Sequence, residues 1–67
     1  MNGVGARIRV SESSQAPEAR RVALSLAGRL DFDETKAGKV AIAVTEAATN
    51  LLKHAGKGEI VLSLSEE

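Results

Sequence analysis

The apolar residues of this chain recur every second position at both ends and every third or fourth position between them, and this switch of period decides what the chain can fold into. From Ala6 to Ser11, the residues Ala6, Ile8 and Val10 alternate with Arg7, Arg9 and Ser11, the pattern of a half-buried strand. Ser13-Ser14-Gln15-Ala16-Pro17 then signals a turn and a helix start. Pro17 suits a first helical position, and Glu18 suits the positive end of the helix. Ala19, Val22, Ala23, Leu26, Ala27 and Leu30 follow at helical steps, opposite Arg20, Arg21, Ser25 and Arg29, with Gly28 a weak point. Asp31-Phe32-Asp33-Glu34 breaks and restarts the pattern, with Asp33 as N-cap of a second helix. That helix has Gly38 as its only weak point and ends at Gly56-Lys57-Gly58, where Gly56 can take a left-handed conformation and Lys53 and His54 face the negative end of the helix dipole. Glu59 to Ser65 alternates again, with Ile60, Leu62 and Leu64 facing one way. The spacing predicts strands near 6–11 and 59–65 and helices near 16–30 and 34–54, an α+β order of strand, helix, helix, strand. Leu26, Val44 and Leu51 are expected in one core, and residues 1–5 as a flexible lead into a domain over 6–67.

Such a core is light. The chain has 67 residues, and a chain of that size hides only about 60% of its unfolded surface. Phe32 is its sole aromatic residue. A lone two-stranded sheet is marginal, and Ile60-Val61-Leu62-Ser63-Leu64 would offer an apolar edge, so a truncated domain is expected. Cysteine is absent and His54 is the single histidine, which excludes a disulfide staple, a thiolate metal site and a histidine-rich zinc site. Nine basic and nine acidic residues cancel, so no general attraction to nucleic acid or an anionic membrane is expected. The first residues carry no apolar signal region, and no apolar run approaches the ~20 residues that span a bilayer. A soluble, cytoplasmic setting is the default expectation.

The second helix carries the chemistry. At 100° per residue, Ala37, Val40, Ala41, Val44, Ala47, Ala48, Leu51 and Leu52 form one stripe, and on the opposite side Asn50 and Lys53 lie within about 40° of Glu46, with His54 on the flank. An amide oxygen such as that of Asn50 is a hard ligand suited to Mg²⁺, which keeps several waters and takes few protein ligands. A carboxylate one turn away, that of Glu46, can accept a proton from an attacking hydroxyl or water. The Lys53 ammonium, one turn further, can meet phosphate oxygens. Spacing alone favours a solvated helix face, with Glu46 and Asn50 at i,i+4 able to form a simple surface hydrogen bond.

Thr45-Glu46-Ala47-Ala48-Thr49-Asn50-Leu51-Leu52-Lys53-His54-Ala55 resembles the N-box of the GHKL ATPase superfamily, which includes histidine kinases, Hsp90-type chaperones and bacterial anti-sigma serine/threonine kinases. The likeness is closest to the last group, in the element order, in the inter-helix link Leu30-Asp31-Phe32-Asp33-Glu34 and in the passage Gly56-Lys57-Gly58-Glu59-Ile60. It spans about Ile8 to Leu64 and implies the N-terminal portion of a GHKL α/β sandwich. By that resemblance Asn50 ligates Mg²⁺, Glu46 is the base or polariser, and Lys53 is a phosphate neighbour of bound ATP. The implied activity is phosphoryl transfer from Mg²⁺-ATP to a STAS-type antagonist. The implied partners are that antagonist or a sigma factor, a SpoIIE-type phosphatase, and a second copy of the chain as homodimer. The D-x-G-x-G box that holds adenine in the superfamily has no counterpart in these residues, so the 67 residues alone are expected to be inactive. Gly56-Lys57-Gly58 lacks the spacing of a P-loop, and Gly3-x-Gly5 precedes a strand instead of following one. His54 reads as a helix-end cation and Arg20-Arg21 as a solvated face. Two other readings stay open: a non-catalytic module that docks on a sigma factor, antagonist or phosphatase, and a small domain with no nucleotide role.

Overall fold

The computed structural model describes the backbone of residues 2–66 and the side chains of 3–65. The chain runs β1 (Asn2–Val10), α1 (Gln15–Arg29), α2 (Glu34–Ala55) and β2 (Gly58–Glu66), an α+β domain in the expected order. The two strands pair antiparallel, with Arg7 opposite Val61, Ile8 opposite Ile60 and Arg9 opposite Glu59. β1 begins at Asn2 instead of near residue 6: backbone pairing continues with Gly3, Val4 and Gly5 opposite Ser65, Leu64 and Ser63, and Val4 extends the inward face of Ala6, Ile8 and Val10 between two exposed glycines. The sheet face bearing Ile8 and Val10 meets the helices. Arg7, Arg9, Glu59, Val61 and Ser63 occupy the other face and are exposed.

Small residues set the spacing of the layers. Ile8, Val10, Ala19, Ala23, Val44 and Ala48 form the central buried cluster, with Val22, Leu51, Ile60 and Leu62 half-buried against it. Ala19 and Ala23 recur one turn apart along α1 and share the cluster with Val44 and Ala48 of α2, so the helices can approach closely. Val10 is the largest fully buried side chain, worth about 1.5–3 kcal/mol in transfer free energy. Two expectations need correction. Leu26 is buried, but with Ala27 and Leu30 it lies outside the cluster that holds Val44. Ala47 is exposed, since it stands about 90° from the mean direction of Ala41, Val44 and Ala48 and so off the edge of the buried stripe.

The helix ends explain why the chain turns where it does. α1 starts two residues before Pro17 because the Gln15 side chain turns back and accepts hydrogen bonds from the backbone N–H groups of Ser11 (2.6 Å) and Glu12 (3.2 Å). Pro17 is therefore third in α1 and not first, and it costs nothing there because the first-turn N–H groups have no helical acceptor. α1 closes with Phe32 N donating to Ala27 O (3.0 Å) and Asp31 N to Gly28 O (3.1 Å), with Asp31 in the left-handed region at φ 57°. Asp33 caps α2 as expected: its side chain accepts from Lys36 N at 2.8 Å. Gly56 ends α2 at φ 79°, its N–H shared between Leu51 O and Leu52 O. Among the described residues, no helix is long and apolar enough to cross a membrane.

Candidate functional site

α2 is held by its caps at both ends and by Ala41, Val44 and Ala48 along its inner face, so its outer ridge is positioned by the core. Glu46, Asn50 and Lys53 are all exposed on that ridge. A separation of four residues places Glu46 and Asn50 about 6 Å apart along the axis, and Lys53 continues about 4.5 Å further. Among the described residues, none of the three makes a side-chain hydrogen bond or an ion pair. The Glu46–Asn50 bond allowed by spacing is absent, and both groups are available to a ligand. Thr45, on the flank, donates its hydroxyl to Ala41 O at 2.8 Å and so makes no demand on the ridge. His54 is exposed in the last turn with Lys53, where a cation suits the helix dipole.

One feature of the ridge is apolar. Ile42 is 61% exposed one turn before Glu46, the largest departure from a polar outer face on this helix. Its helical position, off the buried stripe, is legible in the sequence once the stripe is drawn.

The residues fit the metal-phosphate part of a nucleotide. No group of three or more carboxylate, histidine or cysteine side chains able to hold a metal occurs among the described residues, so an ion here would keep most of its water and take one or two protein oxygens, as Mg²⁺ does. Of the two aspartates, Asp33 is committed to capping α2, and Asp31 lies in the left-handed turn after α1, away from the ridge in sequence.

A separate depression of about 410 Å³ lies on the outer sheet face and is lined by Arg9, Ser11, Lys57, Gly58 and Glu59. It contains none of the ridge residues. Sequence reasoning missed it because Arg9 and Lys57 lie 48 positions apart and meet only through the strand register, which sets Val10 opposite Gly58.

Comparison with curated proteins finds no match, and comparison with solved structures finds none either. Comparison with protein families gives one that covers nearly the whole chain: the model for the histidine kinase-like ATPase domain matches residues 10–67. That span takes in all of α1, α2 and the N-box-like run on α2, and the chain belongs to the histidine kinase-like ATPase domain family.

Proposed function

We propose that α2 supplies the magnesium and phosphate side of an ATP site, and that the protein carrying this segment is an anti-sigma regulatory serine/threonine kinase. Family membership supports ATP as the nucleotide. The observation that carries the finer reading is the ridge itself, an acid, an amide and an amine in sequence, exposed and unpartnered opposite the buried stripe.

Magnesium-ATP, when bound, supplies the phosphoryl group to be transferred. Asn50 would hold the metal through its side-chain oxygen. Glu46 would accept the proton of the serine hydroxyl on a STAS-type partner, which makes that oxygen a better nucleophile. Lys53 would face phosphate oxygens as a point charge, and it is the weakest of the three assignments because a helix-end cation needs no ligand.

The test has two arms in the whole protein that carries this segment. Asn50→Ala is expected to weaken binding of Mg²⁺-ATP. Glu46→Ala is expected to keep binding and slow transfer about 10²- to 10⁴-fold, the usual contribution of a general base. Unchanged turnover in Glu46→Ala would replace the kinase reading with a second one, in which nucleotide is a structural ligand and the module acts by docking on a sigma factor, antagonist or SpoIIE-type phosphatase. That second reading draws on the open exposure of Glu46, which is not enclosed against water. If Asn50→Ala also left affinity unchanged, the ridge would be ordinary surface.

A further inference from the structure

The strand register puts Arg9 directly opposite Glu59, and an ion pair between them is the natural expectation for such neighbours. The structure shows a different pairing. The Glu59 carboxylate reaches diagonally to Arg7, accepting from its Nη1 at 3.1 Å. Arg9 is left without an anionic partner among the described residues, and so is Lys57 across the sheet end. Both cations line the depression of about 410 Å³ on the outer sheet face, together with Ser11, Gly58 and Glu59.

We infer that this depression is an anion site, distinct from the α2 ridge, that takes a dianionic phosphate group, either free or as a small monoester. Arg9 offers a planar fork of N–H donors that matches two phosphate oxygens, and Lys57 offers a compact second charge. The negative groups around it are already engaged. Glu59 is offset by Arg7, and Glu12 accepts from the Ser14 hydroxyl at 2.7 Å. Ser11 donates its own hydroxyl to Gln15 at 3.1 Å, so it forms polar wall and the recognition rests on the two cations. Gly58 contributes to the lining between them, and a side chain there would point away, toward Leu51 of α2. The Arg7–Glu59 pair is the device that makes the site: by drawing the carboxylate one step along the strand it frees Arg9 for a ligand.

The site is tested with the 67-residue chain by following amide shifts while inorganic phosphate or glycerol phosphate is added at constant ionic strength, with chloride as the control. No nucleotide or magnesium is present, so the result is independent of the reading of α2. Saturable shifts at residues 9, 11, 57 and 58, with dissociation constants of roughly 1–10 mM, are expected for two partly solvated cations. The tighter of the two ligands tells whether free phosphate or an ester is preferred. Arg9→Gln with Lys57→Gln together should weaken binding at least about fivefold, with little effect on folding because both side chains are exposed. Arg7→Gln is the sharper variant. It should weaken binding about twofold or more although Arg7 is outside the depression, because Glu59 is then free to turn to Arg9. Glu59→Gln should tighten it. Linear, chloride-like shifts, or a double variant that binds as well as the parent, would overturn the site. Unchanged binding in Arg7→Gln would overturn the role of the diagonal pair.

Discussion

Asp31 is the residue held furthest from its preference. It occupies the left-handed region at φ 57° just past the last turn of α1, where an L-residue other than glycine is strained by about 1–2 kcal/mol and asparagine or aspartate is merely tolerated. Its carboxylate also stands at the negative end of the helix dipole. Asp31→Asn removes the charge alone and should gain about 0.3–0.5 kcal/mol. Asp31→Gly relieves the backbone as well and should gain about 1 kcal/mol in total, whereas Asp31→Val should lose stability. Urea unfolding of the three variants measures the order, and a valine variant as stable as the parent would show that the turn is not strained. At Asp33 the sign reverses. Its side chain caps α2 through Lys36 N, and Asp33→Ala should cost about 1 kcal/mol in the same assay. The ridge residues behave differently from both. Glu46, Asn50 and Lys53 are exposed and unpartnered, so replacing any one with alanine should change stability by less than about 0.5 kcal/mol, which separates a loss of function from a loss of fold.

Period made the four elements legible, and local chemistry made their ends legible only in part. The alternation at Ala6–Ser11 and Glu59–Ser65 and the three- and four-residue steps between them correspond to two strands and two helices in the structure. Asp33 and Gly56 act by side chain and backbone in the manner their residue types announce. The start of α1 was less legible, because it depends on the Gln15 side chain folding back to Ser11 and Glu12, a contact that no spacing rule requires. The start of β1 was legible only in Val4, which continues the face of Ala6, Ile8 and Val10, because Gly3 and Gly5 on either side of it pair through the backbone and show no side chain. The candidate ridge was visible because it lies on one helix, whereas the depression around Arg9 and Lys57 needs a register between the chain's two ends. Packing between elements was the least legible, and Gly58 shows why. A Cβ there would stand 2.7 Å from Leu51 Cδ1 and 3.1 Å from Leu51 Cγ, so the first residue of β2 lies against the last turns of α2. Gly58→Ala must push Leu51 off its half-buried seat and should cost about 1–3 kcal/mol, as overpacking does. Leu51→Ala in the same chain should recover part of that loss. Strictly additive costs for the two changes would show that the glycine is not required by Leu51.

On the scale of the whole molecule, the fold presents an exposed polar ridge on α2 and a solvated outer sheet face, and neither encloses a ligand. A nucleotide derives much of its affinity from burying its base against apolar and polar groups in a concave site. Here Glu46 and Asn50 are exposed, the depression on the sheet face does not include them, and among the described residues of α2 Ile42 is the one large apolar side chain left exposed. Phe32, the sole aromatic, is half-buried in the inter-helix link beneath the Lys36 ammonium, 4.6 Å from its ring centre, and cannot serve as a platform for the base. The 67-residue chain should therefore hold ATP through phosphate and metal contacts alone. That corresponds to a dissociation constant weaker than about 1 mM, or less than about 4.1 kcal/mol of binding free energy. If Asn50 holds the metal as proposed, the weak binding should depend on Mg²⁺ and should be lost in Asn50→Ala. ADP should bind almost as well as ATP only if the base contributes, and on this structure it should bind more weakly. Calorimetry of the isolated chain with ATP, ADP and magnesium decides between these outcomes. Micromolar, magnesium-independent ATP binding would mean that the base has found a pocket the ridge does not supply, and would move the candidate site off α2.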